Sequence, residues 1–173
     1  MKFAVSAALL LAVAAAFVSA DVAQVKRDVA AIDAGVAKLN NDLAAQNLNY
    51  FSALGIHQSA VNLDNTIKTA TNNVNALSAD EVSEADAQEV LNTLTGTEVN
   101  VKSASQRLIA QKPNFDRLGV TGLARDDTNN LARDTKLYGA ALLSKTPASL
   151  QTDASSLLDK VNADLAEAVT AYA

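Results

Sequence analysis

Residues 22–43 read VAQVKRDVAAIDAGVAKLNNDL. Their apolar members Val22, Val25, Val29, Ile32, Val36, Leu39 and Leu43 stand alternately three and four residues apart. That spacing returns each side chain to one side of a helix and draws a single apolar stripe along it. Mostly Ala, Asn, Gln, Asp and Lys stand between them, so the other sides suit water. The alternation recurs downstream, and no catalytic motif competes with it. It predicts an all-α chain, an elongated antiparallel bundle of about five amphipathic helices.

Upstream of this stripe, Met1 and Lys2 make a short basic start, and Phe3 to Val18 are apolar or small apart from Ser6. Val18-Ser19-Ala20 offers the small residues that signal peptidase needs before Asp21. The run is a little short to span about 30 Å of hydrocarbon. The expectation is a cleaved secretory leader over residues 1–20, followed by one helical domain over residues 21–173. Loss of Lys2 takes the formal net charge from −5 to −6, and an acidic balance disfavours nucleic acid as a partner. An exported chain without cysteine has no disulfide framework, so burial must hold it together. Ala, Leu and Val far outnumber the four Phe and three Tyr, which suits close helix packing better than a β-sandwich. No Asn-x-Ser/Thr acceptor occurs, so N-glycosylation is not expected. The chain stops at Val169-Thr170-Ala171-Tyr172-Ala173, without the long apolar tail of a lipid-anchored precursor.

The first helix is expected from about Asp21 to Gln46, and Asn47-Leu48-Asn49 then favours a turn. A second, from about Phe51 to Leu77, repeats the spacing through Ile56, Ala60, Leu63, Ile67, Ala70, Val74 and Leu77. Ser78-Ala79-Asp80-Glu81 is a capping-box pattern, with Ser83 an alternative start for helix three. That helix should continue through Gly96, despite a cost of about 1 kcal/mol relative to Ala, to about Gln111. Pro113 breaks a helix interior, so Lys112-Pro113-Asn114-Phe115 reads as a loop that Gly119 and Gly122 extend. Helix four then covers about Leu123 to Leu143. Thr146-Pro147 has the form of an N-cap with proline at the first helical position, opening helix five. The loops are short, so consecutive helices should lie antiparallel as neighbours.

The search for chemistry is mostly negative. His57 is the only histidine, and without cysteine no His/Cys metal site can be built. The run Gly55-Ile56-His57-Gln58-Ser59 lacks a nucleophile elbow, and His57 reads as a surface or capping residue. Asp126, Asp127 and Asp134 alternate with Arg125, Arg133 and Lys136, and ion pairs at helical spacing account for them without a metal. No glycine-rich phosphate loop is present. The acidic start and basic end of helix three follow the helix dipole. No cofactor and no catalysis are expected.

Polar residues in the inward phase are more informative. Helix three continues its stripe as Ala87, Leu91, Leu94, Glu98, Val101, Ser105 and Leu108, and helix four as Ala124, Thr128, Leu131, Thr135, Tyr138 and Leu142. A dry core would carry Leu or Ile at the hydroxyl positions. Two readings stand: the hydroxyls bond back to their own helix, or Ser105, Thr128 and Thr135 face a ligand and hold a carboxyl headgroup or an ordered water.

The leader, the stretch Asp21-Val22-Ala23-Gln24-Val25-Lys26-Arg27-Asp28-Val29 with its Ile32, Val36 and Leu39 continuation, and the Lys112-Pro113-Asn114-Phe115 segment resemble the fungal hydrophobic surface binding protein A family, which includes the cell-wall galactomannoproteins. The likeness covers nearly all of the chain after the leader. It implies a secreted or wall-associated helical domain that binds long-chain fatty acids in an apolar interior, adsorbs to hydrophobic surfaces and helps to recruit a secreted polyester-degrading hydrolase. Without a Ser/Thr-rich stalk or anchor signal, covalent wall attachment is not expected. The leading function is therefore a lipid carrier. Its apolar lining is expected from Leu39 and Leu43 of helix one, Leu63, Ile67 and Val74 of helix two, and Leu91, Leu94, Val101 and Leu108 of helix three. Helix four would add Leu131, Tyr138 and Leu142, and helix five Leu157 and Val161. The alternative is a surface-active coat or structural wall protein with no dedicated cavity, whose helices lie on an apolar surface.

Overall fold

The stripe at Val22–Leu43 forms the first helix, α1, of a computed structural model that describes residues 21–173. The expected leader lies outside these residues. Asp21 caps α1 by accepting from the Gln24 amide at 2.6 Å, and Val25, Val29, Ile32, Val36, Leu39 and Leu43 are all buried. After Leu48, itself buried, Asn49 and Ser52 exchange side-chain and backbone hydrogen bonds and open α2 (Tyr50–Ala76). Helix α3 spans Glu84–Leu118, α4 spans Thr121–Lys145 and α5 spans Gln151–Tyr172. Short 3₁₀ turns at Ala79–Glu81 and Ala148–Leu150 precede α3 and α5. No strand occurs among the described residues.

Of the two starts offered for helix three the structure takes the second, and two other local expectations are corrected. The Ser78–Glu81 pattern caps the 3₁₀ turn, with the Ser78 amide donating to Glu81 Oε2 at 3.1 Å, and Ser83 caps α3 by accepting from the Asp86 amide. Pro113 does not end α3, which runs on for five more residues. Proline costs a helix interior about 3 kcal/mol, and tertiary bonds on either side offset it. Gln111 Nε2 donates to the Leu43 and Ala45 carbonyls, Arg117 Nη2 donates to the Leu48 carbonyl, and Phe115 is buried between them. Thr146 does not cap α5. It ends α4, where its hydroxyl donates back to the Leu142 carbonyl at 2.9 Å.

The helices form a closed ring in the order α1, α2, α4, α5, α3. The antiparallel expectation holds for α1 with α2 and for α4 with α5. It fails for α2 with α3, which α1 separates, and for α3 with α4, which touch only slightly. Parallel neighbours close the ring instead, and polar pairs set their register. Lys26 bonds Asp86 at 2.8 Å and Thr97 Oγ1 donates to Asp33 at 2.8 Å between α1 and α3. His57 Nδ1 lies 2.8 Å from Asp127 and Lys68 Nζ 3.4 Å from Asp134 between α2 and α4. Ser149 bonds Glu84 at one end of the α3–α5 seam, and Tyr172 bonds the Leu108 carbonyl at the other. His57 is thus an inter-helix pairing residue, not a cap.

The two ends of the ring differ. Where α1, α3 and α5 terminate, Leu48, Phe115, Val120 and Tyr172 are all buried and fill the middle. The Phe115 and Tyr172 rings lie 6.5 Å apart, within the range of favourable aromatic packing. Tyr172 Oη donates to the Leu108 carbonyl at 2.8 Å, and Lys112 covers the outer face of its ring. This end is plugged. Among the described residues no such aromatic pair stands at the other end, where α1, α3 and α5 begin.

Candidate functional site

A ring of five inward stripes leaves space at its axis when its inward residues are too small to meet. Here that space is a cavity of about 190 Å³, more than ten times what one water molecule needs. On α3 its wall runs from Ala87 to Leu108, about 30 Å at 1.5 Å per residue. At the end away from the plug the wall includes half-exposed Val22, Val82, Lys145, Thr146 and Leu150. The cavity therefore opens at that second end.

Every apolar position expected from the sequence lies on this wall: Leu39, Leu43, Leu63, Ile67, Val74, Leu91, Leu94, Val101, Leu108, Leu131, Tyr138, Leu142, Leu157 and Val161. Ser105, Thr128 and Thr135 line it too, as does Glu98. Their hydroxyls are not equivalent. Thr128 donates to the Ala124 carbonyl at 2.6 Å and is satisfied within its own helix. Ser105 and Thr135 make no hydrogen bond to the described residues, and the buried Tyr138 hydroxyl is likewise unpartnered. Burial, with the Asp28 carboxylate nearby, raises the Tyr138 pKa well above its ordinary value, so this phenol stays protonated.

Other lining residues were not singled out from the sequence. Val82 follows the first short turn, and Val90 lies in the second turn of α3. Leu158 reaches the axis because Gly139 faces it, and a Cβ at that glycine would collide with Leu158 Cδ1. The pair 139 and 158 is the one place where α4 and α5 need a glycine to approach. Lys145, in the last turn of α4, also lines the opening. A second cavity of about 30 Å³ lies toward the plug and shares Leu39, Leu43, Leu108, Thr128 and Leu131 with the first.

The acidic residues considered as metal ligands are taken up by neighbouring side chains instead. Asp127 accepts from His57, Asp126 lies 3.6 Å from Arg125 Nε, and Asp134 accepts from Arg133 Nε and Nη2, both at 2.8 Å. No group of three or more potential ligands gathers among the described residues. No helix among them is long and apolar enough to cross a membrane.

Fold and cavity together define an all-α protein built as a ring around a hollow apolar axis. The chain belongs to the hydrophobic surface binding protein A family, whose model matches residues 22–144. No curated protein matches it. Among solved structures, Afmp4p in complex with palmitic acid superposes with a TM-score of 0.83 at 25% identity, covering 88% of this chain and 100% of that one. Two domains of the Penicillium marneffei MP1 protein share the fold. Ligand binding domain 1, complexed with arachidonic acids, aligns at a TM-score of 0.79 and 17% identity, over 86% of this chain and 95% of that one. Ligand binding domain 2, complexed with multiple arachidonic acids, aligns at 0.79 and 15% identity, over 88% and 96%.

Proposed function

We propose that this chain is an exported carrier that holds a long-chain fatty acid, or a similar apolar lipid, along the axis of its helical ring. The observation that carries the proposal is the cavity itself, about 190 Å³, long enough for an extended palmitoyl chain and walled mainly by Leu, Val, Ile and Ala. Afmp4p, described in complex with palmitic acid, has the same fold. About fifteen methylenes at about 0.8 kcal/mol each give a gross burial of roughly 12 kcal/mol. Association and ordering costs leave micromolar affinity or better within reach. In this reading the fourteen apolar positions named from the sequence contact the chain, and Ser105 and Thr135 hold an ordered water. Cleavage after Ala20 would release the domain.

Adsorption to hydrophobic surfaces is the second part of the reading. Phe51 is 82% exposed and Tyr50 51% exposed, edge-to-face at the start of α2. Exposed Leu123 stands at the start of the parallel neighbour α4. Apolar side chains at one end of the ring suit contact with an apolar surface while the axis stays intact.

Native mass spectrometry of secreted protein, with extraction of co-purified lipid, tests the carrier reading. The expected outcome is one or a few fatty acids per chain, saturable on titration with palmitate, and a raised melting temperature. An unchanged melting temperature over a wide palmitate excess, with strong area-proportional adsorption, would reject the carrier in favour of the coat. Native molecules starting at Asp21 are expected, and an N-terminus retaining Phe3 would reject export by cleavage.

A further inference from the structure

An ionised carboxylate is the most expensive part of a fatty acid to bury, and the charges on the cavity wall decide where it can rest. Only Asp86, Glu98 and Lys145 among the lining residues carry charge. Asp86 is committed to Lys26 at 2.8 Å. Glu98, partway down α3, repels an anion. Lys145 has no ion-pair partner among the described residues, and it stands at the open end.

The interior offers an anion little. The Thr97 hydroxyl donates to Asp33, and the Thr128 and Thr146 hydroxyls donate to carbonyls of their own helix. Tyr138 lies in the field of the Asp28 carboxylate. Ser105, Thr135 and the unpartnered Tyr138 hydroxyl remain, the one cation among the described lining residues is Lys145, and a buried charge lacking a counter-ion is strongly disfavoured. Cations at the plugged end are committed to the protein. Arg107 donates to the Asn40 carbonyl and Arg117 to that of Leu48, while Lys112 pairs with Asp116 outside the plug.

We propose that a fatty acid enters tail first and that its carboxylate rests at the open end against the Lys145 ammonium. Lys145 thereby selects free acids over neutral lipids of equal chain length. This inference rests on the carrier reading, and its test separates the two. Palmitate and methyl palmitate are titrated into the full chain after the leader, at neutral pH, with parent, Lys145→Gln and Lys145→Glu proteins. Lys145 is half-exposed at a helix end, so both variants should melt as the parent does without ligand.

The parent should bind palmitate more tightly than the ester. Lys145→Gln should weaken palmitate about three- to tenfold and Lys145→Glu further, with ester affinity unchanged. Added salt should erode the palmitate preference alone. Palmitate affinity in Lys145→Glu equal to the parent's would overturn the proposal. So would a selective loss of palmitate binding, with the ester spared, in Ser105→Leu or Thr135→Leu, because the carboxylate would then lie inside. If neither probe binds the parent, the carrier reading itself falls.

Discussion

Asp134 carries the strongest electrostatic commitment in the seam between α2 and α4. Its carboxylate is almost fully buried, gripped by Arg133 and approached by Lys68, and its pKa is lowered from 3.8 to about 2, chiefly by the Arg133 hydrogen bonds. Asp64 beside it moves the other way: burial and the Asp134 carboxylate raise its pKa, although Lys68 bonds it. A depressed carboxylate stabilises the fold above its unfolded pKa, and that contribution is lost as pH falls through the folded value. A raised one has the opposite sign. Asp134→Asn should therefore cost on the order of 1–2 kcal/mol at pH 7 and flatten the fall in melting temperature between about pH 4 and 2. Asp64→Asn should cost little, or stabilise, at pH 7, because an amide relieves the like-charge pair. Thermal melts across pH check both. At this scale the sequence was only half legible. The three-four phase put Ser105, Thr128 and Thr135 on the inward side, and they lie there. Which hydroxyl bonds back is settled by rotamer and local packing, which spacing does not encode. Lys145 carried no signal, because its place at the opening depends on which helix ends meet.

Among elements, α3 shows where a strong local rule yields to tertiary bonds. Pro113 was read as a breaker, yet the signal that ends this helix stands six residues later. Gly119 has φ +72°, its amide donates to the Asp116 carbonyl, and the Val120 amide donates to that of Phe115. This is a Schellman closure, with Val120 and Phe115 both buried as its apolar pair. A glycine followed by an apolar residue, five after another apolar residue, was visible in the sequence and outweighed by the proline. Pro113→Ala restores a backbone donor at an exposed position and should stabilise the protein by about 1–3 kcal/mol. Gly119→Ala should destabilise it by about 1 kcal/mol, since a Cβ strains the left-handed conformation. Urea denaturation measures both. A destabilised Pro113→Ala protein would mean that the proline shapes the path of α3 toward the plug.

For the whole molecule, the stripes announced five helices around a shared interior but not their order. A stripe specifies the face turned inward. It does not say which helix stands to the left or right, and that is decided by flanking pairs such as Lys26–Asp86 and His57–Asp127, whose partners lie 60 and 70 residues apart. The rule that short loops join antiparallel neighbours fails at the α2–α3 connection, where the 3₁₀ turn at Ala79–Glu81 carries the chain past α1. The stopper of Phe115 and Tyr172 also has a kinetic meaning. A bore stoppered at that end takes lipid in from the other, so an incoming lipid cannot push out the resident from behind. Turnover must wait for the resident to leave. The rate at which unlabelled palmitate replaces a labelled one should be the same at low and high concentrations of the newcomer, and a rate that climbs with concentration would reveal a back door through the plug.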